Sequence, residues 1–474
     1  MNMTAGERNS QPAFPFSALF GRRNPVLYKE WRQLCNQSMP AVLAAAQLAI
    51  EVCFFIVGNL FSFGDDGLCS FYVFFTFGII AMSALPVLSS TANQRCADGL
   101  EPLWGTRVTV GQLIAGKMLT VLALDLFVLL LASPFLLMAA KNLSWMWQAL
   151  MLCIVLAVQY CSLAASFFRP PWLQLPHIWL VPFCDVVPVV FFSAAVNGDG
   201  KADLTTECFL TGFADCASVV FLAVCFSVSF LRHAALNRAA PIRLGVIAAV
   251  IFWFFRSHIS MDSSLSAFTT LFRQWYIPSL LLVCAVMLVS SMETLQCSRR
   301  FRRALPAKAF LRFPVSLILP GAGNGALFCL LSSLLCTAAF TVYDRLFLCG
   351  GTDSFCTIVL GAGMVPYALF YSGVIMMIRL FFPAFRLNAA LVVMVMMVVN
   401  VVCPVLAGLV ELPSIAYFSP VYVVLRYFAV KNDSWEALCD FTLKMAPLMV
   451  CGLLMLLVAL HRYWRGVKER PSGS

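Results

Sequence analysis

The sequence predicts an all-α, polytopic integral membrane protein with both termini in the cytoplasm and about twelve transmembrane helices. Hydrophobic residues make up 61% of the 474 residues and charged residues only 11%, whereas charged residues are about a quarter of a typical soluble domain. The apolar runs are about 20 residues long, which is the length that an α-helix needs to cross a bilayer. No run shows the alternating pattern of about ten residues that outer-membrane strands have.

The apolar runs divide the chain into two halves of similar size. We place spans near residues 41–62, 69–92, 118–140, 146–168, 178–196 and 208–231 in the first half, and near 244–262, 272–292, 322–341, 355–378, 388–410 and 437–460 in the second. The predicted domains are a cytoplasmic tail with an interfacial helix at 1–39, a first permease-like half at 40–231, a cytoplasmic linker at 232–243 and a second half at 244–474. We find no sequence repeat between the halves.

The charge distribution sets the predicted orientation. Net charge is +10, and most Arg and Lys residues lie in loops on the side of the N-terminus, which places that side in the cytoplasm. No loop is long enough for a soluble domain, so these basic residues do not predict a nucleic-acid partner. The four histidines stand far apart and the nineteen cysteines include no C-x-x-C pair, so no metal site is expected.

The segment NPVLYKEWRQL, just before the first span, has the pattern of a short amphipathic helix. Three apolar residues share one helical face: Leu27, Trp31 and Leu34. Three polar residues fall on other faces: Lys29, Arg32 and Gln33. Because Pro25 suits the first turn of a helix, we predict an interfacial helix on the cytoplasmic membrane surface that begins there. The alternative is a plain cytoplasmic extension of the first span.

A second amphipathic pattern lies in the loop at 93–117, between the second and third spans. Its apolar residues recur at helical spacing; they are Leu100, Leu103, Trp104 and Val108. Glu101 and Arg107 lie on the other faces. An apolar stripe flanked by charges has the composition of a small protein-docking surface. The alternative is that Trp104 and its neighbours rest on the lipid interface, where Trp is common.

The same loop ends in a signal for the start of a helix. Thr109-x-x-Gln112 has the form of a capping box, so we expect the helix that enters the third span to begin near Val110. Gly116 and Lys117 then lie in its first turns. We expect Lys117 to hold its charge at the cytoplasmic interface with its stem in the apolar zone.

The stretch GQLIAGK, at 111–117, also fits the first seven positions of a phosphate-binding loop. That loop needs a hydroxyl after the lysine to reach magnesium, and this chain has Met118 there. The residues that follow are apolar for longer than the helix of a soluble nucleotide-binding domain. We therefore interpret the match as accidental and expect this chain not to bind ATP.

Two of these segments together resemble the membrane subunits of type-2 ABC exporters. NPVLYKEWR is similar to the interfacial helix of that family, with Asn24, Pro25, Lys29, Glu30 and Arg32 in place. The loop is similar to the family pattern E-R-x-x-G-T-L-E-x-L-L-x-T-P-hydrophobic-S followed by G-K, with Arg95, Leu100, Glu101, Leu103, Thr106, Val108, Thr109, Gly116 and Lys117 in place. The chain departs from the pattern at Gln94, where the family usually has Glu, at Asp98 and Gly99, which replace Gly-Thr, and at Arg107, which replaces Pro.

This resemblance implies a function and a partner. The chain would be a permease subunit that exports a substrate across the bacterial cytoplasmic (inner) membrane. A coupling helix would dock on a separate ATP-binding cassette subunit through Leu100, Glu101, Leu103, Trp104, Thr106, Arg107 and Val108. ATP and Mg would be bound by that partner, so this chain is expected to have no cofactor and no catalytic residue. One copy could form both membrane halves, or a second permease chain could complete the transporter. Membrane lipid would surround the spans in either case.

Two carboxylates inside predicted spans suggest a different energy source. Glu51 and Asp125 lie where a charge is expensive and usually faces a partner or water. They could belong to a substrate path or a proton relay, which would make the chain an ion-coupled secondary transporter, or they could be structural. A third class, a membrane enzyme that transfers groups onto lipids, has less support, because only His177 lies in a suitable loop and no acid stands beside it.

Overall fold

Apolar α-helices form the part of the chain that the computed structural model describes. The described residues are 24–36, 38–61, 66–96, 108–139, 145–167, 206–231, 237–259, 275–291, 293, 306, 308–347, 370, 373–378, 447, 450–452, 454–455, 457–458 and 461. No strand occurs within these ranges. The chain divides into two compact units, Met1–His233 and Ala234–Ser474.

The helices of unit 1 are the amphipathic α1 and six that follow the apolar runs of the first half. They are α1 (Pro25–Cys35), α2 (Met39–Phe61), α3 (Asp66–Ser83), α4 (Leu85–Cys96), α5 (Val110–Ala139), α6 (Trp145–Ser166) and α7 (Thr206–Leu231). Helix α1 begins at Pro25, where the sequence predicted that a helix starts. Residues 36–38 separate α1 from α2, so α1 is a helix of its own.

Unit 2 has a similar helical construction in its described part. Its helices are α8 (Ala239–Ile259), α9 (Ile277–Ser291), α10 (Ala309–Ile318) and α11 (Ala322–Phe347). The predicted spans at 178–196, 388–410 and nearly all of 355–378 and 437–460 lie outside the described residues.

The described helices confirm a multi-pass helical membrane protein. Seven stretches within the described residues are long and apolar enough to cross a bilayer. Phe75–Gln94 runs across α3 and α4, and each of the others lies within one helix: Met39–Val57, Val110–Met138, Trp145–Ala164, Phe209–Leu231, Ala239–His258 and Asn324–Tyr343. Helix α9, where we predicted a span at 272–292, has 15 residues.

The second predicted span is not one continuous helix. A turn at Ala84 separates α3 from α4, and Pro86 follows in the first turn of α4. Proline has no N–H to donate and its ring clashes with the preceding turn of a helix. The apolar run at 69–92 therefore continues across two helices, which periodicity alone did not indicate.

Helix α5 is the central element of unit 1. It packs against α1, α2 and α3, and also against α4, α6 and α7. Its residues Val128 and Leu136 belong to one buried apolar cluster with α2, α3 and α6. Its residues Leu113 and Val121 belong to a second cluster with α1, α4 and α6. Every other described helix of unit 1 is therefore positioned by contact with α5.

In unit 2, α9 packs against α11 and α8. The Tyr276 hydroxyl lies 3.1 Å from Thr337 Oγ1, and the rings of Tyr276 and Phe340 are 5.0 Å apart. The closest approach is at Gly325, where an added Cβ would lie 2.2 Å from Ser290 Cβ. Only glycine permits α11 to lie this close to α9.

We expect Gly325→Ala to destabilise unit 2, because its methyl group overlaps the backbone-proximal Cβ of Ser290. Forcing extra atoms into a packed core costs about 1–3 kcal/mol. Thermal unfolding of the purified protein in detergent measures the effect. Gly212→Ala is the matched control, because its methyl group would meet the flexible end of Leu150 at 2.6 Å, which can move aside. Equal unfolding temperatures for the two variants would contradict the packing argument.

Candidate functional site

The predicted docking surface lies mostly outside the described residues. Leu100, Glu101, Leu103, Trp104, Thr106 and Arg107 fall in the undescribed segment 97–107. Val108 is described; it is partly buried and packs against the second apolar cluster of unit 1. The helices on both sides of the segment are described, and they fix where its two ends attach.

The predicted capping box at the start of α5 is confirmed. The Gln112 N–H donates to Thr109 Oγ1 at 3.2 Å, and the Thr109 N–H donates to Gln112 Oε1 at 3.0 Å. These two bonds satisfy N–H groups that have no partner within the helix. The helix begins at Val110 for this reason, eight residues before the start of the predicted apolar span. GQLIAGK is thus helical and does not form a phosphate-binding loop.

Asn24 joins the start of α1 to the start of α5. Its side-chain oxygen accepts from the N–H of Val26 at 3.0 Å and from the N–H of Leu27 at 3.4 Å, which caps α1. Its Nδ2 donates to the backbone carbonyl of Gln112 at 2.8 Å. One buried side chain therefore starts one helix and ties it to another.

A buried ion pair makes the second connection between these helices. Lys117 Nζ of α5 lies 2.9 Å from Glu30 Oε1 of α1, and the two side chains are 0% and 4% exposed. Gln94 of α4 donates its Nε2 to the same carboxylate at 3.4 Å. The position of Lys117 at the cytoplasmic interface stays a prediction; the structure adds that its ammonium is buried in the protein and paired with Glu30. The amide at Gln94 can donate to Glu30, which an ionised carboxylate at that position could not do.

Gly116 lets α1 and α5 approach closely enough for this pair to form. An added Cβ would lie 3.0 Å from the Leu27 nitrogen and 3.0 Å from Val26 Cβ. Gly116 and Lys117 therefore stabilise the same helix contact. Gly116 has no side chain to keep the helices apart, and Lys117 supplies the charge that pairs with Glu30. We name this contact, formed by Asn24, Glu30, Gln112, Gly116 and Lys117, the α1–α5 clamp.

The buried face of α1 differs from the apolar face that the sequence indicated. Its buried residues are Val26, Glu30 and Leu34. Trp31 is 45% exposed, and Pro25, Lys29 and Arg32 are exposed as well. The ion pair with Lys117 turns Glu30 inward, and Trp31 then lies on another side of the helix. The location of α1 at the membrane surface stays a prediction.

Glu51 belongs to a polar cluster inside unit 1. Gln47 Nε2 donates to Glu51 Oε1 at 3.2 Å, and the same nitrogen lies 3.3 Å from the Tyr72 hydroxyl and 3.4 Å from Thr76 Oγ1. The Tyr72 hydroxyl donates to the backbone carbonyl of Ala132 at 3.3 Å. These contacts link α2, α3 and α5 through polar groups within an apolar interior.

Asp125 belongs to a separate polar cluster. Ser83 Oγ donates to Asp125 Oδ1, and Gln159 Nε2 donates to the same oxygen at 3.1 Å. Gln159 Nε2 also donates to the carbonyl of Ile80 at 2.6 Å. Along α3, Ser83 is seven residues from Thr76, a rise of about 10 Å. The structure does not bring Glu51 and Asp125 together in one described contact.

Unit 2 contains a buried ion pair of its own. Arg243 Nη2 of α8 lies 2.7 Å from Glu293 Oε2, and the same oxygen accepts from the Gly321 N–H at 2.7 Å. Arg243 Nη1 donates to the carbonyl of Leu317 at 2.7 Å. Burial raises the pKa of the Glu293 carboxyl above its usual value, and Arg243 and the Gly321 N–H offset part of that rise.

Asn237 repeats in unit 2 the arrangement that Asn24 has in unit 1. Its side-chain oxygen accepts from the N–H groups of Ala239 and Ala240, each at 3.1 Å. Its Nδ2 donates at 3.1 Å to the carbonyl of Ile318, the last residue of α10. Asn237 thus caps α8 and ties it to α10.

Sequence reasoning missed several of these residues. Arg243 looked like one more cytoplasmic charge, and Glu293 and Lys117 gave no sign of their partners. Gln47 and Gln159 lie inside apolar spans, and an amide in that position needs hydrogen-bond partners. That signal could have indicated both intramembrane clusters. In the part of the chain described by the structure, no group of three His, Cys, Asp or Glu side chains could hold a metal ion.

Comparisons with known protein families, curated proteins and solved structures find no match to this chain. The chain is a multi-span helical membrane protein.

We expect Glu30→Gln or Lys117→Met alone to destabilise the protein strongly, because each leaves a buried charge without its partner. Breaking a buried ion pair costs about 3–5 kcal/mol. The double variant removes both charges and is expected to recover most of the loss. Thermal unfolding of all four proteins in detergent gives the coupling energy of the pair. Lys29→Met, on the exposed side of α1, is the control, and additive effects of the two core substitutions would contradict the pairing.

Proposed function

We propose that this chain is the membrane-spanning permease subunit of a type-2 ABC exporter in a bacterial cytoplasmic membrane. It moves a substrate outward with ATP that a separate ATP-binding cassette subunit hydrolyses. The observation that carries the proposal is the α1–α5 clamp. It joins the two segments that resemble the family, Asn24–Arg32 and Gly116–Lys117, in one buried contact.

The clamp gives the docking segment a mechanical connection to the membrane. Residues 97–107 run directly into Val108 and α5. Helix α5 has 30 residues, about 45 Å of helix, and the hydrocarbon core of a bilayer is about 30 Å thick. Its first turns can therefore extend toward the cytoplasm, where a partner docked on the segment would push or pull them.

The clamp also determines what moves together. Because Asn24 and Glu30 bind α1 to the first turns of α5, the two helices would shift as one body. All the other described helices of unit 1 contact α5 directly, so such a shift would reach the whole unit. This is the path by which ATP-driven closure of the partner could change the packing of the spans.

Under this proposal the chain itself holds no catalytic residue and no cofactor. ATP and Mg belong to the partner subunit. Unit 2 would supply the other membrane half, and the basic segment at 293–313 occupies the equivalent place before α11. A second copy of the chain would instead be needed if unit 2 has no docking surface.

An ion-coupled secondary transporter is the second candidate function. The observation that favours it is the burial of Glu51 and Asp125 among polar side chains of unit 1. Such a transporter needs no ATPase, and its transport would be lost in Glu51→Gln while the docking segment is intact. An ABC permease would keep its ATP-dependent transport in that variant.

The docking proposal is tested by purifying the tagged chain from its host in mild detergent. The wild type is expected to retain an ATP-binding subunit and ATP hydrolysis, and Trp104→Ala with Arg107→Glu is expected to lose both. Removing central interface residues weakens binding by about 2 kcal/mol or more each, which is about 30-fold.

The matched control replaces the same residue types on α1, as Trp31→Ala with Arg32→Glu. Both side chains are exposed there, so this variant is expected to keep the partner. Equal loss in both double variants would mean that the Trp and Arg residues act at the lipid surface. Absence of an ATPase from every preparation would remove the proposal and favour ion-coupled transport.

A further inference from the structure

Asp125 is a buried carboxyl group whose second oxygen has no partner. The residue is 1% exposed. Its Oδ1 accepts from Ser83 Oγ and Gln159 Nε2, but its Oδ2 has no hydrogen-bond partner among the described residues. A buried polar atom without a partner is unusual and calls for a physical explanation.

The described charges near α5 do not supply a counter-ion for Asp125. On α5 and the helices that pack against it, the cations whose side chains are described are Lys29, Arg32 and Lys117, and the other such anions are Glu30, Glu51 and Asp215; Asp66, Arg95 and Glu207 lie on the same helices, but their side chains are outside the described part. Lys117 pairs with Glu30, and it precedes Asp125 by eight residues, about 12 Å along the helix. The nearby Tyr160 hydroxyl donates to the Met118 carbonyl.

An ionised carboxylate in this place would be poorly stabilised. Two hydrogen bonds from neutral donors would face one full negative charge within a membrane-spanning helix. A charge in that environment requires a partner ion, water or neutralisation. No described side chain supplies a partner ion, and a carboxyl group that carries its own proton needs none.

The orientation of the neighbouring groups distinguishes a proton from a metal cation. Gln159 Nε2 donates both to Asp125 and to the Ile80 carbonyl, which fixes the NH₂ end of the amide toward the carboxyl group. Ser83 Oγ is the other donor to Oδ1. A cation site requires several oxygen atoms turned toward the ion. Both described neighbours of Oδ1 instead donate to it, and the one further oxygen of these two side chains without a described partner is Gln159 Oε1.

We propose that Asp125, with Ser83 and Gln159, forms a proton-binding site in the interior of unit 1, occupied at neutral pH while α3, α5 and α6 are packed together. The proton resides on Oδ2, and Oδ1 remains the acceptor for Ser83 and Gln159. A conformation that admits water between these helices would let the proton leave. Because Asp125 lies on the helix that carries the α1–α5 clamp, a conformational cycle of unit 1 would exchange a proton. This site goes beyond the proposed permease function and does not require an ATPase.

Infrared difference spectroscopy of the purified chain, without nucleotide or partner, tests the site. The wild-type minus Asp125→Asn spectrum at neutral pH is expected to show the carbonyl stretch of one protonated carboxyl group. Glu51→Gln is the matched control and is expected to leave that band in place. Ser83→Ala keeps the carboxyl group and is expected to move the band to higher frequency, because Oδ1 loses a hydrogen bond. It also assigns the band if Asp125→Asn fails to fold.

The infrared bands distinguish a proton site from an ionised carboxylate and from a sodium site. A band lost in Asp125→Asn or shifted in Ser83→Ala, and unchanged when K⁺ is exchanged for Na⁺, supports the proton site. Carboxylate bands from Asp125 at neutral pH would overturn it. A carboxyl band that disappears in Na⁺ at constant pH would also overturn it and show a sodium site. Failure of ATPase co-purification leaves this test unaffected, so the two proposals can fail separately.

Discussion

The buried ion pair between Glu30 and Lys117 is the interaction on which the described arrangement of unit 1 depends. Lys117 lies in the second turn of α5, with no exposed surface, and a lone ammonium in that place would destabilise the fold. Its carboxylate partner comes from α1, so α1 must pack on α5 for the charge to be neutralised. Gly116 and the Asn24 cap make that packing possible at close distance. The remaining described helices of unit 1 then pack around α5.

A second constraint is the absence of hydrogen-bonding solvent in the hydrocarbon core. Polar side chains within spans must bind one another or the backbone. Gln47 and Tyr72 do this around Glu51, and Gln159 does it around Asp125. The two clusters lie on the same pair of helices, α3 and α5, but at different heights. Polar contacts therefore fix the register of these helices. Each cluster also keeps buried oxygen without a described partner, on Gln47 in the first and on Asp125 and Gln159 in the second.

In each unit a capping Asn and a buried ion pair hold helices together, although the halves show no sequence repeat. In unit 1 a capping Asn and a Lys–Glu pair bind α1 to α5. In unit 2 a capping Asn binds α8 to α10, and an Arg–Glu pair joins α8 to Glu293, two residues past the end of α9. Both arrangements combine a helix cap, a buried cation and a close glycine contact. Such an arrangement holds a short helix against a membrane span.

The sequence by itself determined the features that depend on neighbouring residues. It predicted apolar spans, the start of α1 at Pro25, the capping box at Thr109 and the helical state of GQLIAGK. A span depends only on the residues of its own helix, and the capping box depends on two residues three positions apart. Tertiary structure alone decided that Lys117 meets Glu30, 87 residues away, that Glu30 and not Trp31 faces inward, and that Gln159 reaches Asp125. These contacts depend on which helices pack together, and hydrophobic periodicity does not specify a partner for a buried charge.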